Sequence, residues 1–370
     1  MNKLKTALAA LILAGLLAPA APALEQPISF EAYRQQSLDG KIAWPEGTRP
    51  EQVKDWIILL HGSGAQNMDE ELAEATAGKQ SNPFFKSLSD RLIKQGFGVI
   101  RYDKRSYVVS RLAQKDPAYV QSEAVQAYIR QPLSYLIEDA KACVRWARQR
   151  YPAARIHVLG HSEGTYLALQ LAQAMPQDIQ GVGLVGFYDT SFDTTVFEQS
   201  VYRPQGWFDQ LDRDHDHMLS AAELSQPDEV AMQIKAQLAF MDLDKDQQLS
   251  RSEFRAASFS NLLLGDLASL AYRQDEASYP RPHQILPGLK QPVLFFVGSL
   301  DNQTAAYQTQ AVEMANKAVW KKNNLFFTYF PGLGHGLDKR SRYEDLIFQL
   351  PEPTALETVA VRMRQEIVNR

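Results

Sequence analysis

One cysteine, Cys143, is all the thiol chemistry that 370 residues contain. An internal disulfide is excluded, so packing and hydrogen bonds must hold the fold. There is no excess of positive charge either: 39 Lys and Arg against 43 Asp and Glu leave a formal charge of -4. Without a basic stripe to neutralise phosphates, nucleic acid is not an expected partner. Long apolar runs are missing as well. The run from Ala7 to Ala18 is too short to cross a hydrocarbon layer of roughly 30 Å, so no stable membrane span is expected. What remains is a chain with 45% hydrophobic and 22% charged residues, enough to bury a large core and carry an insertion.

The N-terminus reads as a leader. Lys3 and Lys5 precede the apolar run, and Ala18-Pro19-Ala20 and Ala21-Pro22-Ala23 both offer the small-x-small pattern of a cleavage site. We expect residues 1–23 to be a signal peptide removed after Ala23, with Ala20 as the alternative, and the mature protein to be exported to a periplasm or secreted.

Beyond it, Ile28 to Trp44 alternates like paired strands with a turn at Asp39-Gly40. Trp56 to Leu60 is apolar without alternation, as suits a strand covered on both faces. A strand-helix rhythm follows: helix Pro83–Lys94, strand Phe97–Tyr102, helix Pro132–Arg150, strand Ile156–Leu159, helix Thr165–Ala174, strand Val182–Phe187. Cys143 shares a helix face with Leu136, Ala140, Val144 and Ala147, which predicts a small core residue. The rhythm stops for residues 188–287 and resumes with strand Pro292–Gly298, a helix around Thr304–Val319, strand Leu325–Phe330 and a helix from about Thr354. Such alternation predicts an α/β fold, a mostly parallel sheet with helices on both faces, built from residues 24–187 and 288–370 and interrupted by the insertion.

Chemistry collects at the strand ends. Gly160-His161-Ser162-Glu163-Gly164 joins a strand to a helix, a Gly-x-Ser-x-Gly pattern in which a strained turn lifts the serine hydroxyl above the sheet. Asp301 follows the strand ending at Gly298, and His335 follows the strand ending at Phe330. Nucleophile, acid and base thus occur in the order Ser162, Asp301, His335, with Asp189 and Asp338 as weaker rivals for the acid. Main-chain donors for an oxyanion are expected from Glu163, next after the nucleophile, and from Ser63 in His61-Gly62-Ser63-Gly64, with Gly64 as the alternative. His61 is expected to be structural.

These residues resemble serine hydrolases of the α/β-hydrolase superfamily. The run His61-Gly62-Ser63-Gly64 with Asp69, and Arg101-Tyr102-Asp103-Lys104-Arg105, are similar to secreted bacterial esterases, dienelactone-hydrolase-like and serine aminopeptidase-like proteins. The resemblance spans Val53 to Phe187 and Gln291 to Asp338, and it implies the α/β-hydrolase fold with the insertion as a cap. Relatives continue with Arg-Gly-x-Gly-x-Ser, whereas here Arg105-Ser106-Tyr107-Val108-Val109-Ser110 stands. That loop cannot take the same positive-φ shape without cost. Asp103 and Arg105 are expected to tie loops together by ion pairing.

Inside the insertion a twelve-residue pattern occurs twice, at 212–223 and 242–253. Asp212, Asp214, Asp216, Ser220 and Glu223, then Asp242, Asp244, Asp246, Ser250 and Glu253, place oxygens at positions 1, 3, 5, 9 and 12, with the carbonyls of Met218 and Gln248 at position 7. This is the spacing of a paired EF-hand and predicts calcium as a cofactor of the cap. Leu219 and Leu249 stand where two such loops pair, and Pro227 suits the first turn of a new helix. His217 and Gln247 replace the glycine of position 6, which should weaken binding by roughly tenfold. The leading functional expectation is cleavage of a small carboxylic ester through an acyl-enzyme. A peptidase acting on short peptides is the alternative of the same class, and a non-catalytic calcium-dependent binding protein the alternative of another.

Overall fold

The computed structural model describes residues 24–72, 81–345 and 348–368, without the side chains of 229, 261 and 264–269. The expected signal peptide lies outside the described residues. Strands β1 (Leu24–Glu31), β2 (Ser37–Trp44), β3 (Asp55–Leu60), β4 (Gly98–Tyr102), β5 (Arg155–His161), β6 (Ile179–Val185), β7 (Met218–Leu219), β8 (Leu249–Ser250), β9 (Val293–Gly298) and β10 (Leu325–Phe330) follow one another along the chain. Eight of them form one sheet in the order β1-β2-β4-β3-β5-β6-β9-β10. β1 and β2 run antiparallel at one edge, and from β4 onward every pairing is parallel.

Every residue of β3, β4 and β9 is buried, as their unbroken apolar character requires once helices cover both faces. One face packs against helices Pro132–Arg150 and Glu163–Ala174, with Cys143 fully buried among them. The other packs against helices Phe84–Lys94 and Pro353–Met363. At the first face Trp56 stacks on Tyr151, ring centroids 4.3 Å apart and ring planes nearly parallel. β3 is followed by its neighbour β4 on one side and β5 by its neighbour β6 on the other, and the helices after β3 and β5 cover opposite faces. The carboxyl ends at such a switch point are where ligands of open α/β sheets collect.

Three sequence expectations are corrected here. The turn of the first hairpin is Tyr33–Gln35, with Arg34 and Gln35 at φ 53° and 59°, while Asp39 and Gly40 lie inside β2. Gly40 serves close approach instead: a Cβ there would meet the Arg101 carbonyl oxygen at 2.4 Å. After Asp103, where a loop was expected, a helix runs from Arg105 to Lys115. Pro227 precedes rather than opens its helix, which spans Glu229–Met241 and is capped by the Asp228 side chain.

Residues between β6 and β9 form a largely helical insertion with its own apolar core of Phe208, Leu211, Leu219, Leu224, Leu249 and Phe254. In it β7 and β8 pair antiparallel, Leu219 opposite Leu249.

Candidate active site

At the end of β5 the backbone of Ser162 takes φ 53° and ψ -121°, a conformation that costs about 1–3 kcal/mol outside glycine and persists where the surroundings impose it. They do so by contact. A Cβ on Gly160 would lie 2.0 Å from the Gly164 carbonyl oxygen, and one on Gly164 would lie 1.9 Å from that of Leu60. Only glycine lets strand and helix cross this closely. The Ser162 N–H donates to the Val185 carbonyl at 2.9 Å, locking the turn to the end of β6.

The loops after β9 and β10 meet at the same place. Nδ1 of His335 lies 3.0 Å from both carboxylate oxygens of Asp301, and both residues are buried. Asp301 also accepts the backbone N–H groups of Gln303 and Thr304 and the Thr304 hydroxyl. Burial alone would raise the Asp301 carboxyl, but the imidazole and these donors hold it below the ordinary range. Gly186, next after the residue that holds Ser162, packs against the imidazole: a Cβ there would approach its Nδ1 to 2.8 Å. Histidine and aspartate therefore meet at the carboxyl edge, against Gly186 and so one residue from the strand end that holds the Ser162 turn. The rivals for the acid are engaged elsewhere, Asp189 with His283 and Asp338 with Arg340.

On the opposite side of the serine runs the loop after β3. A Cβ on Gly62 would lie 3.2 Å from the Ser162 Cβ, so the loop that carries Ser63 passes close to the nucleophile, and Glu163 follows it in sequence. His61 packs between Phe85 and Tyr102, and burial lowers its pKa to about 4, consistent with a neutral structural role.

Sequence reasoning missed a buried layer beneath these residues. Glu70, at φ 47° and fully buried, accepts the Gly62 N–H at 2.5 Å and Nδ1 of His161 at 3.0 Å. Nε2 of His161 in turn faces the His335 carbonyl at 3.3 Å. Both ring nitrogens of His161 thus face acceptors, which suits the doubly protonated ring. Burial opposes that charge, yet Glu70 and the carbonyl raise the imidazole above its ordinary value, while burial of Glu70 is outweighed by His161 and the Gly62 N–H, which lower its carboxyl. Lys104 donates to the Gly62 carbonyl and to Glu163. Arg105 pairs with Asp139, as the tying role predicts, but Asp103 accepts the Met68 N–H rather than joining an ion pair. The one available signal was the pair of charged residues Lys104 and Arg105 just past the end of β4, where burial is the rule; nothing local marked Glu70.

The repeated loops of the insertion are only partly assembled. Carboxylate oxygens of Asp212, Asp214 and Asp216 lie within 4.8 Å of one another, as do those of Asp242, Asp244 and Glu253. Glu223 accepts the N–H groups of Arg213 and Ser220, and Glu253 those of Leu243 and Ser250. Asp246 receives the N–H of Gln248, and Asp216 that of Met218. His217 and Gln247 adopt φ 68° and 67°, so position 6 makes the left-handed turn without glycine.

Comparison with known proteins agrees with this architecture. Residues 55–335 match the family model described as the alpha/beta hydrolase fold. Esterase EstD of Thermotoga maritima is 31% identical over 159 residues, 42% of this chain and 33% of that protein, so the match spans about a third of the relative's length. Among solved structures, an acylaminoacyl peptidase of Pyrococcus horikoshii superposes with TM-score 0.50 at 11% identity over 97% of this chain and 43% of that one. Est1E of Butyrivibrio proteoclasticus does so with TM-score 0.48 at 14% identity over 92% and 98%. At such identities a structural likeness speaks to the fold alone, and it is the family match over most of the sequence that decides: the chain belongs to the alpha/beta hydrolase fold family.

Proposed function

We propose that this protein is an exported serine hydrolase that cleaves small carboxylic esters. The observation that carries the reading is His335 held at 3.0 Å by both oxygens of Asp301, together with a serine strained at φ 53° at the end of a neighbouring strand. Ser162 Oγ attacks the ester carbonyl carbon while His335 takes its proton, and Asp301 holds the imidazole and stabilises its positive charge. The oxyanion is received by the backbone N–H groups of Ser63 and Glu163. Collapse breaks the bond to the alkoxy oxygen, which leaves as the alcohol with the proton from His335. Water then attacks the acyl-serine by the same route, releasing the acid and restoring the hydroxyl. An ester is favoured over an aminoacyl amide because Glu163, the carboxylate next to the nucleophile that could grip a substrate amine, is engaged by Lys104.

The insertion binds calcium in this proposal. Its fit is supported by Asp212, 2% exposed, whose Oδ1 is buried without a hydrogen-bond partner, the kind of atom a cation satisfies. Asp212, Asp214, Asp216, the Met218 carbonyl, Ser220 and Glu223 would hold one ion, and Asp242, Asp244, Asp246, the Gln248 carbonyl, Ser250 and Glu253 a second. Calcium supplies charge neutralisation there and no part of the bond cleavage. The helix Gln205–Leu211 that leads into the first loop is joined to the base-bearing segment by Trp207 to the Glu344 carbonyl and Arg342 to Gln210. Arg203 reaches the carbonyl of Asn302, next to the acid. Calcium order in the insertion would therefore steady the loops of Asp301 and His335. Hydrolysis of 4-nitrophenyl esters by the wild type and not by Ser162→Ala supports the reading; equal rates, or faster turnover of aminoacyl anilides, overturn it.

A further inference from the structure

The loop after β3 is strapped down by the start of the helix that replaces the glycine-rich turn. Three contacts do this: Lys104 Nζ donates to the Gly62 carbonyl at 2.6 Å, Ser106 Oγ to the Gly64 carbonyl at 2.7 Å, and the Lys104 N–H to the Gln66 carbonyl at 3.1 Å. The first is of a different kind. The Gly62 C=O and the Ser63 N–H belong to one planar trans peptide unit, so they point in opposite directions. Whatever fixes the carbonyl fixes the direction in which that N–H is presented. The other side of Gly62 is held too, through its own N–H on Glu70.

The same ammonium reaches Glu163 at 2.5 Å, the residue whose N–H is the other donor beside the nucleophile. Lys104 and Glu163 are 3% and 7% exposed, so the pair is shielded from water and geometrically confined. We infer that Lys104 is a positioning residue for the oxyanion hole: one buried cation aligns both donor-bearing residues. This rests on the serine hydrolase reading above. Two effects reinforce it. A cation on the carbonyl oxygen polarises the amide and strengthens its N–H as a donor. It also neutralises Glu163, whose unpaired carboxylate would otherwise repel negative charge developing on the substrate oxygen.

The test compares 4-nitrophenyl butyrate with its thiono counterpart, whose developing charge sits on sulfur and gains less from N–H donors. Lys104→Met leaves Glu163 buried without its cation, with only the Tyr272 hydroxyl among the described residues still bonded to it, so the neutral pair Lys104→Met/Glu163→Gln is made alongside it to keep a folded protein. For each folded variant kcat on the oxoester falls about 10- to 100-fold, below the roughly 100- to 1,000-fold cost of removing an oxyanion donor outright because the donor is misaligned and not lost, with KM nearly unchanged and the thionoester rate lowered far less. The double variant is faster than Lys104→Met. Equal losses on both substrates in the double variant, or no loss, overturn the inference while leaving the hydrolase reading intact. Wild-type activity that survives Ser162→Ala would overturn both.

Discussion

Two sets of carboxylates in this molecule are treated in opposite ways. At the carboxyl edge of the sheet Asp301, Glu70 and Glu163 are buried, and protein donors engage each: His335 and Thr304, His161 and Gly62, Lys104. In the insertion Asp214, Asp216, Asp244 and Asp246 stand exposed, crowded against like charge, and a nearly buried oxygen of Asp212 is left without a partner. The first arrangement is complete without any added group, as a preorganised catalytic site must be. The second holds its carboxylates with local backbone N–H groups and, among the described residues, no cationic partner of that kind, the pattern that the calcium proposal would complete. The difference separates charges paired inside the protein from charges left facing solvent.

The largest expected effect falls on the complete site. Asp301→Asn keeps the hydrogen bonding but presents the wrong partner to His335, so kcat for ester hydrolysis should drop on the order of 10⁴-fold with the melting temperature nearly unchanged. Calcium removal, by contrast, should leave most of the chemical rate in place. If a chelator cost as much activity as Asp301→Asn, the separation would fail.

Next comes Glu70→Gln, which breaks a buried pair and should destabilise the fold by about 3 kcal/mol. The sign with pH follows from the two directions. The lowered carboxyl of Glu70 stabilises above its ordinary 4.5 and loses that contribution as pH falls through its folded value. The raised imidazole of His161 stabilises below its ordinary 6.5 and loses its share as pH rises through its folded value. The gap between wild type and Glu70→Gln, read by denaturant titration, should therefore be widest between pH 4.5 and 6.5. A gap independent of pH would mean that the pair is not ionic.

In the insertion, saturating calcium at about a hundred times its dissociation constant should raise stability by about 2.7 kcal/mol per site, and Asp212→Asn should remove the share of the first loop. A chelator-insensitive melting curve would contradict the calcium assignment. The smallest effect concerns Cys143: fully buried, with its thiol pushed well above its ordinary pKa by burial, it should remain unmodified by a thiol reagent in the native state and react only on unfolding.

Much of this was legible in the sequence because the fold places its chemistry at strand ends. Ser162, Asp301 and His335 each follow an apolar run that reads as a strand, so their order along the chain pointed to one edge of a sheet. The pairing of β7 with β8, Leu219 opposite Leu249, was legible from the spacing of the repeat alone. The layer of Glu70, His161 and Lys104 was not, because a buried charge finds its partner through tertiary approach, which no local pattern records. Gly40 was misread for a related reason: a glycine that admits a neighbouring strand looks, in sequence, like a glycine that turns. The helix Arg105–Lys115 lacks a side-chain cap and buries little of its surface, so it had no periodic stripe to betray it.

Labelling with a fluorophosphonate, followed by peptide mass spectrometry, tests the central claim most directly. The account predicts a single covalent adduct on Ser162 that disappears in Ser162→Ala and forms far more slowly in His335→Ala. An unlabelled wild type, or an adduct that persists on another residue when Ser162 is gone, would contradict it.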